Sequence, residues 1–85
     1  MTFDGLYDIF QNKLKELELE QKLPKTAKGN FITKVMLACK SESISELRLV
    51  FYKYTDMKKE FPDLYNKLID FISEYDKNQL EDIGI

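Results

Sequence analysis

The residues that could do chemistry in this chain are one cysteine, fifteen carboxylates and a set of lysines, because the sequence has no histidine. Histidine is the commonest general base and the usual partner of a nucleophilic serine or cysteine. It also belongs to most zinc ligand sets. The composition therefore predicts no catalytic, metal-binding or cofactor-binding residues. We expect a protein that is not an enzyme and that takes no small-molecule substrate.

The one thiol, Cys39, is the first candidate nucleophile. A reactive cysteine needs its pKa lowered by a basic neighbour or by a helix N-terminus, and Lys40 is adjacent. However, Cys39 ends an apolar segment, near the predicted C-terminus of a helix, where the helix dipole opposes a thiolate. We expect it to be a small buried core residue. A lone cysteine cannot form an internal disulfide, and the first ten residues lack the pattern of a signal peptide, so we expect a cytoplasmic protein without a membrane segment.

Carboxylates recur at i,i+4 spacing, which places two of them on the same side of a helix. The pairs are Asp4/Asp8, Glu16/Glu20, Glu42/Glu46 and Asp70/Glu74. Helical bundles can hold two metals with inward carboxylates, but those sites also use a Glu-x-x-His motif. Without histidine, the spacing favours a solvated surface.

The lysines are concentrated in one segment, residues 22–40, which has five of them and no acidic residue. They are Lys22, Lys25, Lys28, Lys34 and Lys40. Such a segment could contact nucleic acid. It contains no arginine, which makes the commonest specific base contact, and the whole chain has a pI near 5.1. The segment therefore gives an alternative hypothesis, a nucleic-acid-associated regulator, beside a solvated loop.

The periodicity of apolar residues predicts an all-α fold, a compact bundle of four helices in one domain spanning residues 1–85. Three helices are amphipathic, and one is short and mostly buried because residues 31–40 are apolar nearly all round. We expect a flexible acidic tail at residues 79–85. The predicted helices span residues 3–23, 31–40, 44–60 and 63–78.

The helix predicted over residues 44–60 organises the rest of the chain. Ser43 and Glu46 have the S-x-x-E spacing of a capping box, which predicts where the helix starts. Pro62 predicts its end, since the residue before a proline avoids helical dihedrals. The apolar side chains fall within one wide arc. They are Ile44, Leu47, Val50, Phe51, Tyr54, Met57 and Phe61.

A few apolar residues lie off these stripes and suggest a partner site. Leu49 and Tyr52 lie outside the apolar arc beside Arg48, and tyrosine is enriched in interface hot spots. Leu19 and Leu23 lie off the stripe of the first helix. Alternatively, Leu49 packs against Leu19 or Leu23, which would remove the exposed patch.

In size, acidity and helical content the chain is similar to bacteriocin immunity proteins and to small inhibitors encoded by phages and plasmids. No sequence motif accompanies this similarity, which is one of fold class. It implies a module that binds a protein partner or associates with itself, as an inhibitor, immunity protein or adaptor. The Lys-, Ile-, Phe-, Tyr- and Asn-rich composition also suggests a bacterial or phage origin.

Overall fold

The computed structural model describes residues 2–19 and 27–82, and every regular element within those ranges is a helix. The predicted all-α bundle is therefore confirmed. None of these helices is long and apolar enough to cross a membrane. The elements are α1 (Phe3–Leu19), α2 (Ala27–Lys40), α3 (Ile44–Lys53), α4 (Met57–Glu60) and α5 (Pro62–Asp82).

The four long helices form a ring in which α1 packs on α2, α2 on α3, α3 on α5 and α5 on α1. The single-turn helix α4 contacts both α2 and α5. The Phe31 ring lies at the centre of this arrangement, with ring centroids 5.7 Å from Phe10, 6.0 Å from Tyr54 and 6.3 Å from Tyr65. Phe31, like Val35, is completely buried, so α2 is the central helix that its apolar sequence predicts.

The start of α2 differs from that of the helix predicted over residues 31–40. The helix already begins at Ala27, and both Gly29 and Asn30 lie inside it. Glycine within a helix costs about 0.5–1 kcal/mol, which is small enough for packing to override. Gly29 is buried, and its carbonyl accepts a hydrogen bond of 2.8 Å from the Thr33 hydroxyl.

The continuous helix predicted over residues 44–60 is wrong, because turns at Tyr54–Asp56 separate α3 from α4. The Phe51 carbonyl, near the end of α3, accepts a hydrogen bond of 2.9 Å from the buried Tyr65 hydroxyl on α5. The rings of Phe51 and Tyr65 also stack, with centroids 5.1 Å apart. A contact between distant segments thus ends the helix where the local sequence contains neither proline nor glycine.

The connection from α2 to α3 is a Schellman motif. The Ser43 amide donates to the Ala38 carbonyl (3.0 Å), and the Glu42 amide donates to the Cys39 carbonyl (3.1 Å). Glu42 occupies the left-handed position of this motif, with φ of 51°. The Ser43 hydroxyl then accepts from the Glu46 amide at 3.2 Å and caps α3, as the S-x-x-E spacing predicts.

The outer helix ends also differ from the predicted ones. The structure describes α1 as far as Leu19, so residues 20–23 of the first predicted helix lie outside the described residues. Helix α5 starts at Pro62, whose missing amide suits the first turn, and continues to Asp82. The predicted flexible tail is therefore helical over residues 79–82, and residues 83–85 lie outside the described part of the chain.

Candidate protein-binding surface

Helices α2 and α3 run in opposite directions on either side of the connection at residues 41–43. At the far end of the pair the rings of Phe31 and Tyr54 are in contact, while at the near end Ser43 binds the Ala38 carbonyl. Short connections commonly join antiparallel helices into such a hairpin. The two helices of the hairpin lie side by side, and we call their solvent-facing sides the α2 wall and the α3 wall.

A groove runs between the two walls. It consists of a depression of about 430 Å³ nearer the connection and a second of about 250 Å³ nearer the open end. Both are lined by Lys34, Glu46 and Val50, so they form one continuous feature. We call it the α2/α3 groove and define it by Lys34, Leu37, Glu46, Leu49, Val50 and Lys53.

Two leucines on opposite walls of this groove are exposed. Leu37 on α2 is 59% exposed and Leu49 on α3 is 61% exposed, and both are large hydrophobic side chains. Leu37 lines the depression near the connection, and Leu49 lines the one near the open end. The groove is therefore an open apolar surface on both sides, of the kind that marks interaction sites when exposed residues are grouped.

Leu37 is missing from the residues that the sequence predicts for a partner site, because the segment 31–40 was expected to be buried nearly all round. The spacing of the polar residues on this helix identifies Leu37 as exposed. Thr33, Lys34 and Lys40 are exposed, and at 100° per residue Leu37 falls within the arc that they span. The polar residues of a short apolar helix thus mark its outer face, and an apolar residue among them is exposed with them.

The other predicted site residues on α3 face a different cleft. Arg48 and Tyr52 line a cavity of about 160 Å³ between α3 and α5, and Arg48 forms an ion pair with Asp76 on α5. Tyr52 is 72% exposed, and its ring meets Phe51 edge to face, with centroids 5.2 Å apart. Leu49 and Tyr52 are both exposed and about 60° apart around the α3 axis, and Leu49 lines the groove whereas Tyr52 lines the α3/α5 cavity.

Leu19 and Leu23, the remaining predicted partner residues, cannot be placed on this surface. The side chain of Leu19 and the whole of Leu23 lie outside the described residues. Leu49 faces the α2 wall of the groove, beside Lys34 and Val50. Its exposed side chain is available for contact with another molecule.

The charges of the groove are mixed. Lys34 and Lys53 contribute two positive charges, and Glu46 contributes one negative charge on the wall opposite Lys34. Within residues 2–17 and 29–77, whose side chains are described, neither Lys34 nor Glu46 has an ion-pair partner. Two opposite charges, neither with an ion-pair partner among the described side chains, thus line the same groove as the exposed leucines.

Of the predicted nucleic-acid residues, the structure describes the side chains of Lys34 and Lys40, which lie at opposite edges of the exposed arc of α2. Lys22, Lys25 and the side chain of Lys28 lie outside the described residues. Lys34 lines the groove, whereas the Lys40 ammonium lies 5.8 Å from the centre of the Tyr7 ring on α1. These two lysines stand about 120° apart around the helix axis.

Cys39 is a buried core residue, 2% exposed, as its place in the apolar segment predicts. Burial raises the pKa of its thiol to about 11, and the nearby Asp4 carboxylate contributes in the same direction. Such a thiol is protonated and shielded near neutral pH, which disfavours nucleophilic attack. Among the described residues, no group of three or more cysteine or carboxylate side chains could hold a metal ion.

Comparisons with models of protein families, with curated protein sequences and with solved structures found no match to this chain.

Proposed function

We propose that this protein is a non-catalytic interaction module that binds protein through the α2/α3 groove. In this role it acts in the cytoplasm as an inhibitor, immunity protein or adaptor, by occupying a surface of its partner. The observation that carries the proposal is the pair of exposed leucines, Leu37 and Leu49, on facing walls of one groove.

The energetics support contact with a protein. Completing the burial of a leucine that is more than half exposed contributes about 1–2 kcal/mol. Leu37 and Leu49 together therefore offer about 2–4 kcal/mol, and the flanking lysines and Glu46 add polar contacts at the rim. The Schellman motif and the Ser43 cap hold the two walls in place before binding, so little ordering is needed when a partner arrives.

The test uses Leu37→Asp and Leu49→Asp, each of which places a charge in the groove without opening the core. Tyr52→Asp is the control, because Tyr52 is also exposed on α3 but lines the α3/α5 cavity. Protein recovered with the wild-type chain by cross-linking in cells would be purified and its binding measured by calorimetry.

We expect both groove variants to reduce the affinity for this purified partner at least tenfold and Tyr52→Asp to change it less than threefold. Circular dichroism should show unchanged helix content in all three variants. A purified partner that binds Leu37→Asp and Leu49→Asp as tightly as the wild type would refute the groove as the binding surface.

A further inference from the structure

We propose that the occupant of the α2/α3 groove is a second copy of this chain, docked groove to groove about a twofold axis. This inference rests on the proposed function, and it specifies the partner. It follows from three observations: the two opposite charges of the groove, the placement of its leucines and the low net charge of the chain.

The charges of the groove are complementary to themselves. In a twofold dimer each contact between two residues occurs twice, with the roles of the two copies exchanged. Lys34 on the α2 wall and Glu46 on the α3 wall are opposite in sign and have no ion-pair partner among the side chains that the structure describes. A second copy would supply Glu46 to Lys34 and Lys34 to Glu46, giving two equivalent ion pairs.

The leucines fit the same axis. An axis along the groove, between the two helices, places the α2 wall of one copy against the α3 wall of the other. Lys34 and Glu46 line both depressions of the groove, so they lie at similar levels along it, and this axis brings each of them close to its partner in the other copy. Leu37 lies nearer the connection and Leu49 nearer the open end, so each leucine packs against the facing wall of the other copy, on one side of the ion pairs, and loses part of its exposure to water.

The net charge of the chain permits this contact. At a formal charge of −2 per copy, two chains repel one another only weakly at physiological salt. The groove is not electrostatically complementary to a strongly acidic or strongly basic partner, because it has charges of both signs. A hairpin-sized interface is small, so we expect a reversible dimer with a dissociation constant on the order of 100 μM.

The experiment is a charge swap between copies, followed by sedimentation equilibrium over about 10 μM to about 1 mM. In Lys34→Glu the dimer would contain two Glu–Glu contacts, and in Glu46→Lys it would contain two Lys–Lys contacts. We expect each variant alone to dimerise at least tenfold more weakly than the wild type. An equimolar mixture of the two variants restores two opposite-charge pairs, so the mixture should dimerise with nearly wild-type affinity.

The control pair is Lys67→Glu and Asp70→Lys, which makes the same charge changes at exposed positions on α5. We expect these variants to dimerise like the wild type, singly and mixed. Because Glu46 lies in the first turn of α3, thermal melts should establish that Glu46→Lys stays folded. Glu46→Gln provides a second variant, which removes the charge and should weaken the dimer without creating repulsion.

Rescue on mixing is the decisive result, since an ion pair within one chain could not be restored by adding another variant chain. A wild-type chain that stays monomeric to about 1 mM, or a mixture that dimerises no better than its components, would overturn the second-copy proposal. The proposed function fails separately, if Leu37→Asp and Leu49→Asp leave the binding of every purified protein partner unchanged.

Discussion

Glu42 occupies a backbone conformation that suits glycine, and replacing it with glycine should stabilise the protein. Its φ of 51° places it in the left-handed region, at the residue that joins the two walls of the α2/α3 groove. The amides of Glu42 and Ser43 bond to the carbonyls of Cys39 and Ala38, which requires this conformation. The Schellman motif normally has glycine at this position, because any Cβ is crowded there.

The magnitude follows from two opposing terms. Removing the Cβ relieves roughly 1–2 kcal/mol of steric cost in the left-handed region. Glycine also gives the unfolded chain more freedom, which costs about 0.5–1 kcal/mol. We therefore expect Glu42→Gly to raise the free energy of unfolding by about 0.5–1 kcal/mol, and the Tm by about 3–6 °C for a domain of this size.

Urea unfolding followed by circular dichroism measures this change directly. Glu42→Ala retains the Cβ and removes the charge, so it should change the free energy of unfolding by less than about 0.5 kcal/mol. Lys67→Gly, on the exposed face of α5, should destabilise the protein by about 1 kcal/mol, because glycine in a regular helix is unfavourable.

Two outcomes would refute the reasoning. If Glu42→Gly and Glu42→Ala were equally stabilising, the effect would come from the charge of Glu42. If Glu42→Gly destabilised the protein as much as Lys67→Gly does, the backbone at residue 42 would not be left-handed, and the Schellman motif would be absent.

Two further predictions concern the core. Tyr65→Phe removes the hydroxyl that donates to the Phe51 carbonyl, so the free energy of unfolding measured in urea titrations should fall by about 1–2 kcal/mol. An unchanged free energy of unfolding would mean that this hydrogen bond does not stabilise the break after α3. Burial raises the pKa of the Cys39 thiol from 9.0 to about 11, so the folded state binds the proton more tightly than the unfolded state does. The contribution of this thiol to stability should therefore be complete below pH 9 and be lost between pH 9 and 11, lowering the free energy of unfolding by up to about 2–3 kcal/mol. Urea titrations of Cys39→Ala should lack this component of the decline, and an identical pH dependence in that variant would contradict the assignment.

The parts of the fold that the sequence predicts well are those decided by local interactions. The cap of α3 follows from Ser43 and Glu46, because a hydroxyl three residues before a free amide is placed to accept from it. The start of α5 follows from Pro62, whose preceding residue cannot continue a helix. The burial of Cys39 follows from its neighbours in the apolar segment.

The parts that the sequence does not predict depend on contacts between distant segments. The break between α3 and α4 depends on Tyr65, which lies fourteen residues after the carbonyl that it binds. The early start of α2 places Gly29 inside a helix, where packing overrides its low helix propensity. The groove itself depends on the pairing of α2 with α3, and the exposure of Leu37 becomes evident only once residues 31–40 are divided into an inner and an outer face.

The measurement that tests the binding surface most directly is a dilution series of amide NMR spectra, from about 1 mM to about 20 μM. Exchange between monomer and dimer shifts the resonances of the residues at the interface. We predict concentration-dependent shifts at Lys34, Leu37, Glu46 and Leu49, and their loss in Leu49→Asp. Shifts that map instead to the outer face of α5, around Lys67 and Asp70, would contradict the account of the α2/α3 groove. A spectrum that does not change with concentration would contradict the second-copy occupant.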